Sequence, residues 1–179
     1  MKWKINSLKY IDSKVTFSEV PDEVTLCISI SGCPIHCKNC HSKYLWENKG
    51  IDLTIEELDR LILYNSGITC ICILGGNQDY EWLNKIFTHI MVKYPNIKRA
   101  WYSGEDLITS INKTSLLVLD YIKVGSYINS MGGLNNINTN QRFYKIDMVR
   151  TENMNKNEIV LTDLTYKFNK LNQLNENEN

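Results

Sequence analysis

The sequence predicts an α/β domain whose mostly parallel sheet is open, or closed only part-way into a barrel. Three observations carry this. Apolar runs alternate with amphipathic runs at helical spacing, the pattern of right-handed βαβ units. The run "ITCICIL" is apolar at every second and every intervening position, as in a strand covered on both faces. The chain has 179 residues, enough for one core but not for the ~250 residues of eight β/α units.

"VTLCISIS", Val24 to Ser31, is β-branched and apolar and reads as the first strand; it runs into Gly32 and a cysteine-rich loop. In "LTIEELDRLILYN", Thr54 and Glu57 have the spacing of a capping box, and Leu58, Leu61 and Ile62 follow at helical intervals. Ile68 to Leu74 is the second strand and ends at Gly75-Gly76-Asn77. A second helix is expected over about 79–94, with Leu83, Ile86, Phe87, Ile90, Met91 and Tyr94 as its apolar stripe. "IKRAWYSG" reads as a third strand, "EDLITSIN" as a short helix, and Leu116 to Gly125 as a fourth strand. "SMGGLNNINTNQ" is a loop by its Gly and Asn content. "RFYKIDMV" and "NEIVLTDLTYKF" pair as a C-terminal hairpin. One domain is expected over 1–168, followed by a polar, disordered tail over 169–179.

Twenty basic and twenty acidic residues cancel, so charge offers no ground for a nucleic-acid or membrane partner, and neither is expected. No run approaches the ~20 apolar residues of a membrane helix, and the first residues lack a signal-peptide core. The expectation is a cytoplasmic protein, in which thiols stay reduced. Of the six cysteines, Cys27, Cys70 and Cys72 sit in apolar strand runs and read as small core residues. Trp46, Trp82 and Trp101 likewise read as packing residues.

Cys33, Cys37 and Cys40 differ: they stand in "SISGCPIHCKNCHSKYLW", a polar, turn-rich stretch. Three thiolates at C-x3-C-x2-C can wrap one soft metal centre. With His36 or His41 as fourth ligand the site would be a Cys3His zinc site. An iron–sulfur cluster ordinarily takes four cysteines; with three, one iron is left to an outside ligand. In parallel sheets, sites form beyond the carboxyl ends of strands. The cysteine loop, Gly75-Gly76-Asn77 and Tyr102-Ser103-Gly104 all hold such positions and should share one rim.

"GCPIHCKNC" resembles the signature of the radical S-adenosylmethionine (SAM) enzymes. The resemblance implies a partial β/α barrel, with a [4Fe–4S] cluster held by Cys33, Cys37 and Cys40 and SAM chelating the open iron. It implies SAM contacts from Asn39, Cys40 and His41, and from Gly75, Gly76 and Asn77, which match a Gly-Gly-acidic motif. Asn77 departs from that motif, since an amide oxygen accepts a hydrogen bond without the charge of a carboxylate; Asp79 is the acidic residue at hand to compensate. His36 and His41 are then expected to shape the loop and not to bind iron.

The chain is short for this superfamily and is similar to the activases of the anaerobic ribonucleoside-triphosphate reductase, over about residues 10 to 168. "WYSG" is similar to their Tyr-Thr-Gly segment. "DYIKVGSYINS" resembles a strand of theirs, with Lys123-Val124-Gly125 in place of an acidic turn. "TNQRFY" matches a Ser/Thr-Asn-Gln-Arg motif through Asn140, Gln141 and Arg142. The resemblance implies reductive cleavage of SAM, and a glycyl radical formed on the reductase by the 5′-deoxyadenosyl radical. It also implies a one-electron donor such as flavodoxin or ferredoxin, and no complete internal substrate pocket. Ser103, Asn140, Gln141 and Arg142 are candidate contacts to SAM or the partner. Two alternatives stand: a small enzyme like carboxy-deazaguanine synthase, for which Ser42 is the candidate magnesium ligand, and a zinc-stabilised binding module.

Overall fold

The computed structural model describes residues 8–151 and 156–169; the expected tail lies outside them, apart from Asn169. One sheet of eight strands organises the chain, in the order β3-β1-β2-β4-β5-β6-β7-β8. The strands are β1 (Lys9–Thr16), β2 (Thr25–Ile30), β3 (Ile51–Asp52), β4 (Cys70–Leu74), β5 (Lys98–Tyr102), β6 (Tyr121–Val124), β7 (Arg142–Thr151) and β8 (Lys156–Asp163). The helices are α1 (Ile55–Tyr64), α2 (Tyr80–Lys93) and the single turn α3 (Lys113–Leu116).

The sheet is open and mixed, which corrects the expectation of a mostly parallel one. β2, β4, β5 and β6 run parallel at its centre. Antiparallel pairs flank them on both sides, β3–β1–β2 on one and β6–β7–β8 on the other. Connection length explains the flank at β1: the link from β1 to β2 spans 17–24, too short for the dozen or more residues of a parallel crossover. β1 itself has no apolar face, since only Tyr10 is buried along it; its pairing with β2 defines it. The C-terminal hairpin forms as expected.

The period of two divides the sheet into unlike faces. Leu26, Ile28, Ile30, Ile71, Ile73 and Trp101 point to the helices and bury Leu58 and Leu61 of α1 and Leu83, Ile86, Phe87 and Ile90 of α2. Cys27, Cys70, Cys72 and Ala100 point the other way, where Val20, Tyr121 and Phe143 close over them. The three strand cysteines are thus core, as expected.

Several local expectations change. Thr54 caps α1 by accepting from Glu57 N–H at 3.2 Å, but the capping box is half made. The Glu57 carboxylate turns to the Tyr10 hydroxyl and to Arg60, 2.7 Å away. In α2, Asp79 is the N-cap and accepts from Trp82 N–H at 2.9 Å. Met91 is exposed and Trp82 is buried in its stead, with its indole N–H donating to the Leu53 carbonyl at 3.1 Å. "EDLITSIN" yields only a 3₁₀ turn, Ile108–Ser110. The fourth strand starts at Tyr121, because Asn112 caps α3 over Lys113–Leu116. Leu116 and Leu119 then bury at a spacing of three; a short apolar run suits a helical turn as well as a strand.

Candidate metal centre

The carboxyl ends of the four parallel strands meet in one cleft of about 200 Å³. β2 contributes Ile30 and the cysteine loop, β4 contributes Leu74 and Gly75, β5 contributes Tyr102 and Ser103, and β6 contributes Lys123 and Gly125. Cys33, Cys37 and Cys40 all line it, as do Asn77 and Gln141. The convergence expected of the first three loops is present, with the loop after β6 as a fourth side.

Backbone geometry sets the cysteine loop. Cys33 N–H donates to the Leu45 carbonyl at 3.0 Å, closing the loop at its base, and Cys40 N–H donates to Cys37 at 3.1 Å in a tight turn. His36 and Asn39 hold positive φ of 49° and 61°, a conformation with a steric cost for residues bearing a Cβ. His36 is held there by stacking on Trp46, with ring centroids 4.5 Å apart and planes 16° from parallel. His41 Nε2 pairs with the Tyr127 hydroxyl at 3.0 Å. Neither histidine lines the cleft.

The loops lock to one another. Gln78 donates to the Ser31 carbonyl at 2.7 Å, joining the β4 loop to the β2 loop. Gly104 stands so near the cysteine loop that a Cβ there would come within 2.6 Å of Ile35. Gly76 holds φ of +89°, and a Cβ on it would lie 2.9 Å from Leu83 of α2; a bare backbone is needed for the turn.

Asn77 is buried and committed. Its amide donates to Ser103 Oγ at 2.8 Å, and its oxygen accepts from Gly104 N–H at 3.1 Å. The Tyr80 hydroxyl, 3.5 Å from the Asn77 amide, donates to the Glu105 carboxylate at 2.9 Å. Asn77 therefore reaches a carboxylate through Tyr80. Asp79, the expected compensating residue, is taken by the α2 cap.

Other expected residues lie apart. Arg142 donates to the Thr139 and Gln141 carbonyls at 2.8 Å each and faces Asp163 at 3.9 Å. It borders a separate hollow of about 430 Å³ with Ile137 and Tyr166. Asn140 ties down the loop by donating to the Ser126 carbonyl at 2.9 Å. Asn39, His41, Gly76 and Asn140 do not line the cleft.

The donor set suits an iron–sulfur centre. Three soft thiols share the cleft, and two of their sulfurs already accept backbone N–H groups: Tyr127 to Cys37 Sγ and Ser42 to Cys40 Sγ, both at 3.3 Å. Trp46 lines the cleft, and its indole N–H is buried without a protein partner. As the side chains stand, no three Cys, His, Asp or Glu among the described residues are drawn in close enough to grip a single ion. Sequence reasoning missed Tyr127 and gave Lys123 no role. The signal for the lysine was there: a charged residue inside an apolar strand run is rarely buried without a reason.

No curated protein and no solved structure matches the chain. A family model described as a 4Fe-4S single cluster domain, found in radical SAM-related proteins, matches residues 23–143. That span opens just before β2, takes in all three cleft cysteines and closes at the start of β7. The chain therefore belongs to the 4Fe-4S single cluster domain family.

Proposed function

We propose that this protein is a radical SAM activase: it cleaves SAM reductively and uses the 5′-deoxyadenosyl radical to make a glycyl radical on an anaerobic ribonucleoside-triphosphate reductase. The observation that carries this is the meeting of Cys33, Cys37 and Cys40 with Gly75, Asn77 and Ser103 in one cleft at the strand ends. In this reading Cys33, Cys37 and Cys40 would hold the cluster, and the Gly75-Gly76-Asn77 turn would receive the amino end of SAM. When bound, the cluster supplies one electron, taken from a flavodoxin- or ferredoxin-like donor, that breaks the S–C5′ bond of SAM.

The chain's own part is binding, orientation and exclusion of water. Asn77 presents an oxygen whose direction is fixed by Ser103, Gly104 and Tyr80. The Tyr80–Glu105 link brings negative charge to that corner, where a substrate ammonium would sit in this reading.

One feature supports a macromolecular partner. Tyr44, Leu107 and Ile128 are exposed on the loops that follow β2, β5 and β6, the strands whose ends form the cleft. Exposed apolar side chains on the loops of an incomplete site suit a partner that covers it and keeps water from the radical.

The test is anaerobic. The protein is reconstituted with iron and sulfide, reduced with dithionite and given SAM, and 5′-deoxyadenosine is measured. Mixing with reductase should then produce a glycyl-radical doublet by EPR. Deoxyadenosine without the doublet would leave a radical SAM enzyme acting on something else, such as the deazaguanine-type substrate. A protein that holds the cluster but never cleaves SAM would end the reading.

A further inference from the structure

Lys123 is the buried cation of the cleft. It lies on β6 with 8% of its surface exposed and points to the face opposite the helices, at the end where the thiols gather. Its ammonium donates to the Gly125 carbonyl at 2.5 Å and to the Ser103 carbonyl at 3.5 Å. Both partners are neutral, so the charge is hydrogen-bonded without being cancelled by contact. Asp106, the carboxylate within electrostatic reach, is engaged by Ser126 N–H at 3.0 Å. Burial pushes the Lys123 ammonium down to about 8, and the Cys37 thiol, Asp106 and the Cys40 and Cys33 thiols pull it back up.

A buried ammonium facing only carbonyls is unfavourable in isolation. It becomes favourable beside an anion. Three thiolates round an iron–sulfur core make the site anionic, and reduction adds one further negative charge. Hydrogen bonds, net charge and solvent exposure are the means by which a protein sets such a potential. A positive charge fixed out of solvent beside the centre favours the more negative, reduced form. Lys123 is locked by its two carbonyls, so its charge cannot swing away to solvent as a surface lysine's would.

We propose that Lys123 is an electrostatic positioning residue of this site: its buried ammonium raises the reduction potential of the cluster held at Cys33, Cys37 and Cys40. The couple is the gain of one electron by the cluster, with no proton moved and no bond made or broken. The proposal rests on the cluster-binding part of the reading above and not on SAM.

The experiment is an EPR-monitored titration with dithionite and mediators, on the full chain reconstituted without SAM. The proteins compared are wild type, Lys123→Met, Lys123→Gln, Lys123→Arg and Lys43→Met. Lys43 is a control in the cysteine loop itself; it is exposed over the Trp46 ring at 5.8 Å, and solvent screens its charge. The reduced-to-oxidised ratio at a fixed poise should fall about tenfold in Lys123→Met and Lys123→Gln, equivalent to about 59 mV for a one-electron couple. That is the size of effect one unit charge exerts across roughly 12 Å at an effective dielectric of about 20. Lys123→Arg should restore the wild-type value, and Lys43→Met should scarcely move it.

A Lys123→Met midpoint no further from wild type than that of Lys43→Met would overturn the proposal. So would a Lys123→Arg midpoint equal to that of Lys123→Met. If the Met variant cannot hold the cluster, the Gln variant decides. Loss of iron from both would assign Lys123 to assembly and refute the tuning role. Cluster retained in Cys37→Ala would instead remove the site assignment on which the proposal stands, a separate failure read by iron content. SAM cleavage can fail without touching either result.

Discussion

The two faces of the sheet are built from the same strands and do different work. The helix face carries Leu26, Ile28, Ile71, Ile73 and Trp101 against α1 and α2. The opposite face carries Thr25, Cys27, Cys70, Cys72 and Ala100, and at the strand ends it opens into the thiol cleft. Large aliphatic side chains on one side hold the strands in register through buried area. Small side chains on the other leave room for a loop, a lysine and a centre. Stability is concentrated on the first face and chemistry at the rim of the second, so substitutions should separate the two.

The sharpest separation is at the thiols. Replacing any one of Cys33, Cys37 or Cys40 with Ala should abolish stoichiometric iron and sulfide uptake while thermal unfolding shifts little, since each is only partly buried in a loop. Cys70→Ala should do the reverse: full cluster content, with about 1 kcal/mol of stability lost from a buried site. A Cys70 variant without cluster would erase the contrast between the faces.

Next in size is the helix face. Phe87 is fully buried between α2 and the sheet. Phe87→Ala should lower the unfolding free energy by about 3–5 kcal/mol in urea titrations. Variant that remains folded should still take up the cluster, because Phe87 lies outside the cleft.

Gly76 joins the two regions. Its backbone holds φ of +89°, and an added Cβ would lie 2.9 Å from Leu83. Gly76→Ala should therefore cost about 1–3 kcal/mol and also disturb the turn that presents Asn77. A change in stability alone, with the proposed SAM binding intact by equilibrium dialysis, would show that the turn tolerates displacement.

The smallest expected effect is at Asp59, which ties α1 to α2 far from the cleft. Its carboxylate accepts from Lys93, His89 and Tyr94 at 2.7, 2.8 and 2.9 Å. Burial pushes its pKa up, but the three hydrogen bonds outweigh it and hold the carboxyl at about 2, against an ordinary 3.8. The unfolded chain therefore takes up the proton first. The stability from Asp59 is fully present above about pH 4 and is lost as pH falls through about 2. Lys93 is half in solvent, so screening limits the contribution to on the order of 1 kcal/mol. Asp59→Asn should lower stability by that amount at neutral pH and flatten the acid limb of the stability curve, without changing cluster content.

The sequence was most readable where one rule acted alone. "ITCICIL" is apolar on both faces and became β4, and Leu58, Leu61 and Ile62 at helical spacing became the buried stripe of α1. It was least readable where a partner element decides. β1 shows one buried residue and no amphipathic pattern, so only its register with β2 makes it a strand. "LLVLDYIKVG" satisfied strand and helical-turn patterns equally, and the Asn112 cap settled which part was which. Asp79 and Glu57 were spent on local and cross-sheet bonds that spacing does not reveal.

What the sequence determined by itself was the centre: three cysteines at fixed spacing in a loop that packing does not explain, following a strand of a β/α chain. Thiol chemistry is local, and eight residues suffice to state it. The surroundings of that centre were decided only by the tertiary structure. Parallel pairing of β2, β4, β5 and β6 brings residues 33, 77, 103 and 123 into one cleft. It encloses Lys123 among carbonyls and commits Asn77 to Ser103 and Gly104, while the antiparallel β7 carries Arg142 to a separate hollow. Electrostatics depend on burial and on neighbours distant in the chain, and neither is written in spacing.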